Sequence, residues 1–90
     1  MFKRIRTVLG INVALSQLGI NTQDLNPVWR RGCQEIALNQ GLSSKAVAAY
    51  MYYQLPWAVR PTDGVARIER WVAEGDISRA EADYAKGSEI

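Results

Sequence analysis

Residues 33–52, Cys-Gln-Glu-Ile-Ala-Leu-Asn-Gln-Gly-Leu-Ser-Ser-Lys-Ala-Val-Ala-Ala-Tyr-Met-Tyr, decide the fold, because they read as two short helices meeting at Gly41. Ala37 falls where the helices approach closely, and Gly41 is placed to take the left-handed conformation that ends the first. Ile36, Leu42 and Val47 are expected to fill the angle between them. Ser43 can cap the second helix, which runs from Ser44 to about Gln54 before Pro56 ends it.

Working outward, Asn26-Pro27 starts the helix that Gly41 closes, since asparagine caps free amides and proline suits a first turn. Trp29, Cys33, Ile36, Ala37 and Gln40 share one of its faces. Before it, residues 2 to 18 place Phe2, Ile5, Leu9 and Val13 on one stripe, and Gly19 offers a stop. Gly10 sits inside that helix, where alanine is expected to be neutral or stabilising.

After the central pair, residues 55–61, Leu-Pro-Trp-Ala-Val-Arg-Pro, read as an extended connector, because proline disfavours helix in the residue before it. Thr62 or Asp63 opens a fourth helix with a stripe of Val65, Ile68 and Val72 that Trp71 widens, and Gly75 closes it. Ser78-Arg-Ala-Glu81 has capping-box spacing for a short fifth helix ending near Gly87. This final hairpin looks like the two-helix modules found at the C-terminal ends of many bacterial proteins. That likeness implies packing within the monomer or pairing of two chains into a homodimer. The sequence thus describes an all-α bundle of about five short helices in one domain, residues 1–90.

Composition narrows the function. Ninety residues, 48% of them hydrophobic, make one globular domain with no room for a separate catalytic one. Trp29, Trp57 and Trp71 are expected as large core contributors. Cys33 is the single cysteine and there is no histidine, so a disulfide within the chain, metal sites of nitrogen and sulfur type, and histidine-based catalysis are excluded. No cofactor and no enzyme activity are expected. Polar and glycine residues at Gly10, Asn12, Ser16 and Gln17 break the apolar run after the basic N-terminus. No stretch resembles a signal sequence or approaches a membrane span, and we expect a cytoplasmic, unprocessed chain that does not contact membrane.

The net charge of +2 hides an asymmetry. Residues 1–60 hold Lys3, Arg4, Arg6, Arg30, Arg31, Lys45 and Arg60 against Asp24 and Glu35, a net +5. Residues 61–90 hold Arg67, Arg70, Arg79 and Lys86 against Asp63, Glu69, Glu74, Asp76, Glu81, Asp83 and Glu89, a net −3. A basic front and an acidic hairpin suit a front that meets a polyanion.

The central segment resembles the helix-turn-helix DNA-binding family over residues 33–52, with Gly41, Leu42, Ser43 and Val47 matching well. It departs from the family at Tyr50, usually aliphatic, at Gln40, often small or apolar, and at Ala48 and Ala49, where base-reading polar side chains are usual. The resemblance implies a small transcriptional regulator whose third helix enters the major groove, presenting Ser43, Ser44, Lys45, Ala48, Ala49 and Tyr52 to DNA. Arg30 and Arg31, with Lys3, Arg4 and Arg6, would then contact phosphates.

A rival reading comes from the aromatic run Tyr50-Met-Tyr-Tyr-Gln-Leu-Pro-Trp57. Tyr50, Tyr53 and Trp57 follow a core-facing spacing, which leaves Tyr52 with Ala48 and Ala49 outside. Such a surface suits a partner protein, and the chain would then be a non-enzymatic adaptor or inhibitor, for instance a phage-encoded one.

Overall fold

A computed structural model describes residues 2–87, with side chains from Ile5 onward. Five helices form among the described residues: α1 (Phe2–Gln17), α2 (Pro27–Asn39), α3 (Ser44–Gln54), α4 (Gly64–Glu74) and α5 (Arg79–Gly87). Single 3-10 turns cover Thr22–Asp24 and Trp57–Val59. The second of these corrects the extended connector, since residues 57–59 coil once between Pro56 and Arg60.

Local chemistry sets the helix boundaries. Asn26 Oδ1 accepts from the amides of Val28 and Trp29 at 2.9 and 3.1 Å, with Pro27 in the first turn, so α2 begins where its free amides are satisfied. Its end is a Schellman turn. Gly41 takes φ 80°, its N–H donates to Leu38 O at 2.9 Å, and Leu42 N–H donates to Ala37 O at 3.3 Å. Gly75 closes α4 the same way, with φ 81° and Asp76 N–H donating to Trp71 O at 2.8 Å.

Packing follows from α3, whose residues Ala46 to Tyr53 are all buried. A helix that is apolar on every side is stable in water only when neighbours cover it all round. Here α1, α2 and α5 pack directly on it, and α4 leans on α5. Residues 61–87 therefore complete the core: Ile68, Trp71, Ile77, Ala82 and Ala85 are buried with α3. Of the expected stripe, Ile68 and Trp71 are covered inside the monomer and Val72 is partly buried, while Val65 is 39% exposed.

The inward faces differ from expectation in two helices. In α1 the buried side is Ile11, Ala14 and Leu15, followed by Leu18, while Ile5, Leu9 and Val13 are 52%, 57% and 58% exposed. The expected stripe thus faces outward; its Phe2 member has a side chain outside the described residues. In α2 the buried residues are Cys33, Gln34 and Ala37, and Ile36 is half exposed rather than filling the angle. Val47 does fill it, with Leu42 half-buried beside it.

Two glycines permit close crossings. A Cβ on Gly10 would sit 3.1 Å from Ser44 Oγ and 3.3 Å from Ser44 Cβ, so α1 meets the start of α3 there and the effect of alanine is set by whether Ser44 can give way by a few tenths of an ångström. Gly64 is tighter, since a Cβ would land on the Tyr52 ring. Gly64→Ala is expected to cost at least about 2 kcal/mol by overpacking. Gly41→Ala, with open space around it, should cost about 1 kcal/mol through its positive φ alone. Urea melts of the two variants check this order.

Candidate functional site

The surface proposed for DNA or partner contact on α3 is interior. Ala48 and Ala49 are fully buried and Tyr52 is 2% exposed, which corrects the outward face expected of them. The cause is size: alanine lets neighbouring helices approach α3, and Tyr52 fills the gap toward α4, its hydroxyl donating to Pro61 O at 2.5 Å. The start of α3 is not buried, with Ser43 exposed and Ser44 and Lys45 half-buried, but its polar groups are engaged. Ser43 N–H donates to Glu81 Oε2 at 2.9 Å, its Oγ caps Ala46 N–H at 3.4 Å, and Ser44 lies against Gly10. Lys45 Nζ is 2.8 Å from Asp76 Oδ2 and 5.3 Å from the centre of the Trp71 ring. Among the described residues, the helix end that would reach base edges is thus tied to the C-terminal hairpin.

Glu81 makes that tie. Its Oε1 accepts from Ser78 N–H at 3.0 Å while Ser78 Oγ accepts from Glu81 N–H at 3.0 Å, so the expected capping box of α5 is present. Its second oxygen reaches the cap residue of α3, a link the local spacing did not disclose. Burial pushes the Glu81 carboxyl up, but the amides of Ser43 and Ser78 outweigh it and hold the group below the usual carboxylate range.

The exposed side of the molecule belongs to α1 and α2. Ile5, Leu9 and Val13 recur every four residues and line up over about 12 Å of helix. They lie roughly opposite the buried Ile11–Leu15 face, so α1 is apolar on both sides. The signal was present in the sequence as two stripes, of which periodicity alone selects neither. Arg6 is exposed on the same helix, and the side chains of Lys3 and Arg4 lie outside the described residues. Val8 lines an open cleft of about 380 Å³ with Pro27, Arg30, Arg31 and Gln34 of α2. Arg31 is exposed and 3.5 Å from Glu35. Arg30 is half-buried, with Nη2 enclosed and without a hydrogen-bond partner, and burial pushes its guanidinium pKa down. Of the expected phosphate contacts, Arg30 and Arg31 do sit together, on α2 beside α1.

A second exposed feature is the connector. Trp57, expected in the core, is 77% exposed. The Arg60 guanidinium lies 5.1 Å from its ring centre, 5.5 Å from Tyr52 and 5.7 Å from Tyr53. It also donates to Tyr53 O and Leu55 O at 3.0 Å each, so Arg60 closes the end of α3 and fixes the turn. Cys33 is buried, and that burial pushes its thiol up, away from the reactive thiolate.

Among the described residues, no cluster of histidine, cysteine and acidic side chains could hold a metal, and no helix is long and apolar enough to cross a membrane. No family model, curated protein or solved structure matches the chain.

Because the folded pKa of Glu81 lies below its unfolded value, its contribution is present above the unfolded value and is lost as pH falls through the folded one. Glu81→Gln should therefore cost about 1 kcal/mol at pH 7 and flatten the decline of stability on acidification. The two proteins should converge once the pH has fallen below the folded-state pKa of Glu81, as read by denaturant melts.

Proposed function

We propose that this chain is a non-enzymatic protein-interaction module that binds a partner through the outer face of α1. The observation that carries the reading is the second apolar stripe, Ile5, Leu9 and Val13, exposed in a helix whose opposite side is already buried. A soluble surface helix normally opposes its buried stripe with polar residues, and one that is apolar all round is normally covered all round. Aliphatic rows at this spacing are the anchors by which helices dock in grooves or pair with other helices.

Regulation through DNA is the second reading, supported by the net +5 of residues 1–60. With Ala48, Ala49 and Tyr52 enclosed, it would rest on phosphate contacts from Arg6, Arg30 and Arg31, and base selection by α3 would need the bundle to open. Phosphate contacts also leave the aliphatic row of α1 unused. The interaction reading uses that row and leaves α3 in the core.

Leu9→Asp separates these readings, since Leu9 is more than half exposed and its loss should leave the melting temperature nearly unchanged. Purified with a tag from its own host, the wild type should retain a discrete protein in stoichiometric amount that Leu9→Asp releases. Retention unaffected by the substitution, or a salt-dependent band shift of DNA at micromolar wild-type protein that Leu9→Asp leaves intact, would overturn the proposal.

A further inference from the structure

Arg30 is placed where a cation is costly without an anion. Its Nη2 is enclosed by the protein without a hydrogen-bond partner, the half-buried residue lines the cleft between α1 and α2, and burial destabilises its charge. The cleft is lined by two guanidinium groups and the amide of buried Gln34, with no acidic side chain among its lining residues. Arg31, the second cation, has its Nε 3.5 Å from Glu35, long for a charge-assisted hydrogen bond and exposed to water. Among the described residues of α1, none is acidic.

The cleft and the aliphatic row share an edge of α1. Val8 lines the cleft, three residues after Ile5 and adjacent to Leu9. A peptide supplies carboxylates together with aliphatic side chains and so meets both the cations and the stripe, whereas a phosphate leaves the stripe uncovered.

Building on the interaction-module reading, we infer that the α1/α2 cleft is the carboxylate-recognition end of the α1 face, and that its partner is an acidic amphipathic segment of another protein. A partner Asp or Glu enters against Arg30 and Arg31, while its aliphatic side chains lie along Ile5, Leu9 and Val13.

The test uses defined peptides with the full chain. One is a 16-residue helix former with leucines every four residues flanked by glutamates, and the other has glutamine in place of every glutamate. Nuclear magnetic resonance titration should show the glutamate peptide shifting the Arg30 side-chain Nε–Hε signal and the Val8 and Leu9 amides. It should bind about tenfold more tightly than the glutamine peptide, the loss expected for one charge-assisted hydrogen bond. Arg30→Gln should abolish that preference and Arg30→Lys should restore part of it, while Leu9→Asp should weaken both peptides.

Equal affinity for the two peptides, unchanged by Arg30→Gln but lost in Leu9→Asp, would overturn the carboxylate site and leave the α1 docking reading standing. Absence of binding by either peptide at millimolar concentration would overturn the acidic-segment inference, with the docking reading still decided by Leu9→Asp in the host. Inorganic phosphate or a 16-base-pair duplex shifting the Arg30 signal more strongly than the glutamate peptide would overturn it in favour of a phosphate-bearing partner.

Discussion

A helix with no solvent-facing side governs this molecule. Eight consecutive residues of α3, Ala46 to Tyr53, are buried, and an isolated helix of this composition would expose aromatic and aliphatic surface in every direction. Covering it takes three other helices. The alanines at 46, 48 and 49 allow close approach, and the tyrosines at 50, 52 and 53 fill the wider gaps. Tyr50 stacks on Tyr84 of α5 with ring centres 5.8 Å apart, and Tyr52 meets the start of α4 at Gly64. The acidic hairpin is therefore a wall of the core, held at the start of α3 by Glu81 and by the Lys45–Asp76 pair.

That arrangement redistributes the charge of the chain. Lys45, counted with the basic front, is neutralised by Asp76, and Arg67 of α4 donates to Gln17 O at 2.6 Å, satisfying a carbonyl at the end of α1. Arg60 is held among three aromatic rings and two carbonyls. Of the remaining described cations of the front, Arg6 of α1 and Arg31 of α2 are exposed and Arg30 of α2 is half-buried. On α1 and α2 these cations occur with exposed aliphatic side chains, Ile5, Leu9 and Val13 on the one and Val28 and Ile36 on the other, while Trp57 and Val59 make a separate exposed apolar feature on the connector.

The sequence made the helices legible but not their facing. Asn26, Ser43, the Ser78–Glu81 box and the glycines at 41 and 75 act through backbone groups within a few residues, so their chemistry can be read locally and the structure keeps it. Choosing an inward face requires one stripe to be distinct, and α1 carries two. Ile5, Leu9 and Val13 have as regular a spacing as Ile11, Ala14, Leu15 and Leu18, and tertiary packing alone selects the second. In α3 the small residues that resembled a groove-facing surface are small because helices pack there. Trp57 departs from the helical phase of α3 because α3 ends at Gln54 and the ring lies instead against Arg60, three residues on. The Arg30 cleft left only a basic dipeptide in the sequence, since an enclosed and unpartnered nitrogen is a property of packing.

Native-state amide hydrogen exchange tests the central placement of α3 most directly. A helix enclosed by α1, α2 and α5 opens only when the bundle does, so the amides of Tyr50 to Tyr53 should be among the most protected in the chain, with an opening free energy equal to that of global unfolding in denaturant. Exchange of these amides through local opening, at a free energy well below the global value and independent of denaturant, would mean that α3 has a free face and would contradict the account.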